Sequence, residues 1–210
     1  MKKLLLSVCL LASIQSAVAG VIPVGAKNDI SINTVTNDWG WEFIYRNPYN
    51  VNHDSGDKYN YYFGNAKSGD WIMLGSINNS NNTFDVLAAV SYDDLLGSFT
   101  FGDDTKNFNG TSWYNVEDYS IGFAGLGKSV SLNSADTAGG DERDRLSWHM
   151  HEFYDAGYRS GDNVGLNEST DFDKAVLVYR GTNSVPEPTS IAILGLGLVG
   201  LAFARKKKSV

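Results

Sequence analysis

Cysteine is nearly absent from this 210-residue chain: Cys9 is the only one, and it lies in the opening apolar segment. No disulfide can staple the remainder, so packing alone must hold it. Histidine is almost as scarce, with three residues, and proline is limited to four. Basic residues are few where nucleic acid would need them. Six of the 17 sit at the two ends (Lys2, Lys3, Arg205, Lys206, Lys207, Lys208), leaving 11 against 23 acids between, a balance of about −12. A body that acidic repels phosphate backbones, and no nucleic acid is expected as a partner. Also missing is any apolar period of 3.6 residues sustained for three turns within residues 20–184, which argues against a helical domain. What is plentiful is aromatic residues and glycine, with 10 Phe, 11 Tyr, 5 Trp and 22 Gly. That mixture suits many short strands joined by turns.

The opening has the three parts of a secretory signal. Lys2 and Lys3 are its charged region, residues 4–11 its apolar stretch, and Ala17-Val18-Ala19 its small-residue site, with cleavage by signal peptidase expected before Gly20. A retained anchor fits less well, because the apolar stretch is short and Gln15 and Ser16 follow it. Cys9 does not fit a lipid acceptor: it lies too early and Val8 precedes it.

At the other end, residues 189–204 are uncharged and mostly apolar. As a helix they would span about 24 Å. That is short of a hydrocarbon layer of about 30 Å, but Arg205 and the three lysines after it can snorkel. Gly195, Gly197 and Gly200 suit a membrane helix better than a soluble one, and the four cations place the tail's end in the cytoplasm. The signal places Gly20 onward outside, so the two orientation signals agree. Pro186 and Pro188 hold the chain extended around Glu187, just outside the bilayer.

The order Val185-Pro186-Glu187-Pro188, apolar helix, basic cluster Arg205–Lys208 resembles the PEP-CTERM sorting domain over the last 26 residues. The resemblance implies recognition and cutting by exosortase, a membrane transpeptidase of bacteria that make exopolysaccharide and biofilm. The expected organisation is a signal peptide at 1–19, an ectodomain at 20–184 and a sorting signal at 185–210. The chain is expected to cross the inner membrane, to be anchored transiently by its C-terminal transmembrane helix, and to end at the cell surface, outer envelope or extracellular matrix.

Between the ends, apolar residues alternate in short runs. In 39–46 every odd position is aromatic (Trp39, Trp41, Phe43, Tyr45), and in 83–92 every even position is apolar. Further runs are 59–63, 70–77, 98–101, 119–126, 128–132, 146–150 and 174–180, with turn clusters at 77–82 and 136–144 between them. Eight to ten short strands without helices predict an all-β fold, a single β-sandwich of jelly-roll type. Gly157 to Gly161, Gly165-Leu166-Asn167 and the 174–179 run also look like the last strands of many PEP-CTERM ectodomains, which supports an all-β body and implies no activity.

Several motifs compete for a function. Gly122 to Ser129 fits the phosphate-loop spacing GxxxxGK[ST]. That motif needs a following helix whose amides face the phosphates, whereas Val130-Ser131-Leu132 reads as a strand, so a hairpin turn is expected. His149 and His151 would share one face of a strand and could begin a metal site. Such a site needs a carboxylate, for which Asp155 is available, and another histidine, for which only His53 remains. The simpler expectation puts Leu146, Trp148 and Met150 in the core with Ser147, His149 and His151 facing water.

The acidic loops at 54–57, 93–94, 103–104 and 141–144 could hold a structural calcium. Asn50, Asn52 and Asp54 mimic the start of an EF-hand loop, but Gly56 falls one place late and Tyr61 stands where Glu is required. Otherwise no cofactor is expected. Trp39 with Trp41, and Trp113 with Tyr114, could form a platform for stacking sugars, although core packing accounts for such rings as well. No mature cysteine and no GxSxG elbow is present for nucleophilic catalysis. The expectation is a non-catalytic surface or matrix protein. The alternatives are a module binding exopolysaccharide and a metal-dependent enzyme using His149 and His151.

Overall fold

The computed structural model describes residues 20–51, 58–97, 99, 105–116, 119–128, 142–150 and 156–181. The expected signal with Ala17 and Ala19, the sorting residues Val185–Pro188, the apolar stretch 189–204 and the basic cluster 205–208 lie outside them. So do His53, His151, Asp155, Asp103, Asp104, Asp141, residues 52–57 and residues 129–132.

Ten strands are found among the described residues, all paired antiparallel in two sheets of five. The first sheet has the order β1-β4-β3-β10-β2. Its members are β1 (Lys27–Ser31), β2 (Glu42–Pro48), β3 (Trp71–Asn78), β4 (Thr83–Ser91) and β10 (Phe172–Tyr179). The second is a meander, β5 (Lys106–Phe108), β6 (Thr111–Val116), β7 (Ser120–Gly125), β8 (Leu146–His149) and β9 (Gly157–Ser160), each beside the next. The fold is all-β, as the alternation predicts. The jelly-roll expectation is corrected: a jelly roll winds between its sheets as two Greek keys, whereas here five consecutive strands fill one sheet before β10 returns to the other.

Turn chemistry fixes the hairpins. Between β3 and β4, Asn78 Oδ1 accepts from Ser80 N at 2.9 Å, Asn81 Oδ1 accepts from Thr83 N at 3.2 Å, and Asn82 takes a left-handed φ of 56°. Asn supports such local bonds and tolerates that conformation. Between β5 and β6 the turn is the pair Asn109-Gly110, both left-handed (46° and 74°), which matches the twist of a two-residue hairpin.

The sheets pack over one core. Ile72, Leu74, Val86, Ala88, Val90, Val176 and Val178 of the first sheet meet Trp113, Ile121, Phe123, Leu146 and Trp148 of the second. Strand β10, paired on both sides by β3 and β2, is buried on both faces, and its run Ala175-Val176-Leu177-Val178 serves the two sides alternately. A second apolar layer lies on the outer face of the first sheet. There Val35, from a π-helical turn at Thr34–Asp38, covers Met73, Leu87, Ala89 and Leu177 together with Trp41.

Three further expectations are corrected. The run 59–63 is no strand but part of a helix, α1 (Lys58–Phe63), which sends Tyr62 and Phe63 into the core. A second helix, α2 (Tyr92–Gly97), follows β4, so the body is not free of helices. Finally, the aromatic stripe in 39–46 does not share one face. Val176 pairs with Tyr45 and Leu177 with Phe43, so Ile44 is an extra residue in β2. This bulge turns Tyr45 toward the inter-sheet core and leaves Phe43 in the outer layer.

Candidate functional site

The aromatic residues proposed as a sugar platform are mostly committed to packing. Trp41 is 2% exposed and Trp113 and Tyr114 are 0% exposed, so none of the three can stack on a ligand. Trp113 packs on Phe123 at 5.1 Å, and burial pushes the Tyr114 phenol up to about 12. Trp39 is the exception, half-buried against the outer layer, as Phe43, Trp71 and Tyr179 are too.

His149 ends β8, half-buried, with its ring edge-on to Tyr158 at 5.5 Å. Leu146, Trp148 and Met150 join the inter-sheet core as expected. Ser147 is buried as well, a correction to the expectation that it faces water. It stands in a transverse row with Tyr114, Gly122 and Arg159 on the far side of the second sheet. Among the described residues no three of His, Cys, Asp and Glu gather as metal ligands.

The phosphate-loop spacing falls mostly on a ladder. Gly122, Phe123, Ala124 and Gly125 are paired with Tyr114, Trp113, Ser112 and Thr111, so they are not free to wrap a phosphate. Leu126 and Gly127 form a turn in which Lys128 N donates to Gly125 O at 3.0 Å, with φ of 80° at Gly127. Lys128 Nζ reaches Glu142 Oε1 at 3.0 Å, and Arg145 holds the other oxygen. These two cations, Arg145 first, hold the Glu142 carboxyl below its ordinary value.

The acids at 93–94 have local duties. Ser91 Oγ donates to Asp94 Oδ2 at 2.6 Å and accepts from Asp94 N at 3.1 Å, which caps α2, while Asp93 accepts from Ser68 Oγ and Gly69 N. Of the EF-hand-like residues, Asn50 lies in a turn, its N donating to Ser169 O at 3.2 Å, and Tyr61 belongs to α1.

A polar seam inside the body was not singled out by sequence. Trp148 Nε1 donates to Tyr49 Oη at 3.3 Å, and Tyr49 Oη donates to Arg159 O at 3.1 Å. Burial raises the Tyr49 phenol well above its ordinary value. Nearby, Ser160 Oγ donates to Asp85 Oδ2. Burial also raises the Asp85 carboxyl, against the opposing effects of the Ser160 hydroxyl and the Arg143 guanidinium. Lys174 is fully buried, with Nζ donating to Val51 O and Tyr62 Oη at 3.1 Å each. Period-two patterning marks such positions as inward-facing, but their polar side chains argue the other way, so the pattern alone cannot find them.

Strand β10 of the first sheet ends at Tyr179, and the described residues end two positions later at Gly181. Arg180 Nη1 pairs with Glu42 at 2.8 Å, and its Nη2 donates to Asn65 O at 2.8 Å. Among the described residues no helix is long and apolar enough to cross a membrane, and the expected span 189–204 lies outside them. The model of the PEP-CTERM protein-sorting motif matches residues 184–207, a few positions beyond this strand end. The chain matches no curated protein and no solved structure. The motif implies an exported protein that exosortase processes and that is sorted to the cell envelope, and the chain is a PEP-CTERM motif-containing protein.

Proposed function

We propose that the chain is a non-catalytic surface or matrix component associated with exopolysaccharide or biofilm. Signal peptidase removes residues 1–19. Residues 189–204 then hold the precursor in the inner membrane, with Arg205–Lys208 on the cytoplasmic side, until exosortase acts at Val185–Pro188. The observation that carries this reading is the sorting motif at 184–207, following directly on an all-β body. The fate of the other candidates supports the non-catalytic part: the glycine run is a ladder strand, and the acids at 93–94 cap and brace α2.

Fractionation of producing cells with and without exosortase tests the traffic. The expected result is full-length chain in the inner membrane without the enzyme, and a shortened chain in the outer envelope or matrix with it. Recovery of an uncut, soluble cytosolic chain overturns the reading. Metal analysis of the same protein tests the catalytic alternative, which a stoichiometric transition metal lost in His149→Ala would favour.

A carbohydrate-binding body is the second reading, favoured by the half-buried Trp39, Trp71 and Tyr179, which pack against the outer layer without being closed off from solvent. A glycan array separates the two, with binding reduced in Trp39→Ala as the signature of the second.

A further inference from the structure

The ring of Tyr179 is clasped by residues from both ends of the described body. Gly20 N donates to Tyr179 Oη at 3.2 Å, and a Cβ at position 20 would fall 2.0 Å from the ring. On the other ring edge, a Cβ at Gly181 would lie 3.4 Å away, and Trp41 leans on the ring at 5.7 Å. The residues after Gly20 are fixed as firmly. Val21 N donates to Trp39 O at 3.1 Å and Trp41 Nε1 donates to Val21 O at 2.8 Å. Asn109 Nδ2 donates to Pro23 O at 2.8 Å, and Gly25 N donates to Asn109 O at 2.8 Å.

We infer that this aromatic corner is a seat for a free α-ammonium group, the one that signal cleavage before Gly20 exposes. The inference rests on the cleavage step of the proposed function. Cleavage turns an amide with one donor into a cation with three, and a hydrogen bond from a cation to the Tyr179 hydroxyl is stronger than one from an amide. The small residues at 17 and 19 answer to signal peptidase, whereas the glycine at 20 answers to the fold, because any Cβ there meets the Tyr179 ring. Tyr179 lies five positions before the sorting motif begins at 184, so seating the new terminus also braces the strand end from which that motif hangs.

The test uses the exported protein, with its first residue read by N-terminal sequencing. The rate of α-amine acylation is then compared in folded and urea-unfolded protein. The expected result is a Gly20 start and an amine that labels roughly tenfold or more slowly when folded, the scale of one charge-assisted hydrogen bond. Tyr179→Leu and Gly20→Ala are each expected to abolish most of that protection, and Gly20→Ala to lower Tm by about 3 °C or more. A different first residue overturns the cleavage reading and the seat with it. A Gly20 start with equal labelling in both states overturns the seat alone, as does a Gly20→Ala protein with full protection and unchanged Tm.

Discussion

Ser160 Oγ donates to Asp85 Oδ2 at 2.5 Å, joining β9 of the second sheet to β4 of the first across 75 positions of sequence. The carboxylate sits at a bulge: Ser76 pairs with Val86 and Ile77 with Phe84, so Asp85 has no partner on β3 and is turned toward the seam. Burial raises its folded-state affinity for a proton. A carboxyl raised on folding gives stability that is fully present below its unfolded value and is lost as pH rises through the folded one. Wild type is therefore expected to lose Tm relative to Asp85→Asn as pH increases through this window, with the variant at least as stable at pH 7. Thermal melts of both proteins from acid to neutral pH decide it; a difference that does not vary with pH refutes the assignment.

Glu142 should behave with the opposite sign. Arg145 and Lys128 lower its carboxyl on folding, so its contribution is present above the unfolded value and is lost as pH falls through the folded one. Glu142→Gln is expected to lower Tm at neutral pH and to leave it unchanged in strong acid. Equal loss at both ends would show that packing, and not charge, is responsible.

Much of this seam was hidden from the sequence. The long strands β3, β4 and β10 were legible because both faces are apolar or alternate cleanly, and the Asn-rich turn before Thr83 marks its hairpin. The aromatic stripe at 39–46 misled because a bulge at Ile44 cannot be seen in an alternation of side chains, and it reverses the facing of Phe43 and Tyr45. The run 59–63 misled because five residues complete barely more than one helical turn, too few to separate a period of 2 from 3.6. Asn109-Gly110 was a turn signal in plain view, and it marks both β5 and β6. The order of strands within the sheets depends on which distant runs pair, and no local pattern carries that.

Gly157 and Gly97 make a matched pair of tests. A Cβ at Gly157 would lie 2.0 Å from the ring of Tyr49. That ring cannot retreat, since it is fully buried and bonded to both Trp148 and Arg159. Gly157→Ala is expected to cost about 1–3 kcal/mol as overpacking. Nothing lies within 4 Å of a Cβ at Gly97, so Gly97→Ala is expected to be neutral or to stabilise by up to about 1 kcal/mol. Urea unfolding of both reads the contrast, and similar values for the two would refute it.

Asn109 connects the β5–β6 hairpin to the first sheet and to the segment after Gly20. Its amide donates to Pro23 O at 2.8 Å and to Ala89 O at 2.9 Å. Asn109→Ala removes both bonds and leaves two part-buried carbonyls to find other donors, at a cost of about 1–3 kcal/mol. Asn109→Gly tolerates the left-handed backbone as well as Asn does, so it isolates the side-chain bonds from the turn. The expected order of stability is wild type, then Asn109→Gly, then Asn109→Ala. If Asn109→Gly matches wild type in urea, the turn conformation matters and the two bonds do not.

The sorting motif admits a test that separates its two physical parts. In the proposed reading Pro186 and Pro188 keep the site from continuing a helix, whereas Glu187 supplies the one charge between them. If residues 189–204 form the proposed membrane helix, replacing Pro186 and Pro188 by Ala would let it extend outward through the site and should leave precursor in the inner membrane, uncut, with Glu187 intact. Glu187→Gln keeps the extended backbone and asks whether exosortase reads the charge. Accumulation of precursor in both variants means that conformation and charge are both read; accumulation in the double proline variant alone means that accessibility suffices. Normal shortening of the double proline variant, judged by mass, would sink the claim that an extended Pro-Glu-Pro segment is what presents this chain to the enzyme.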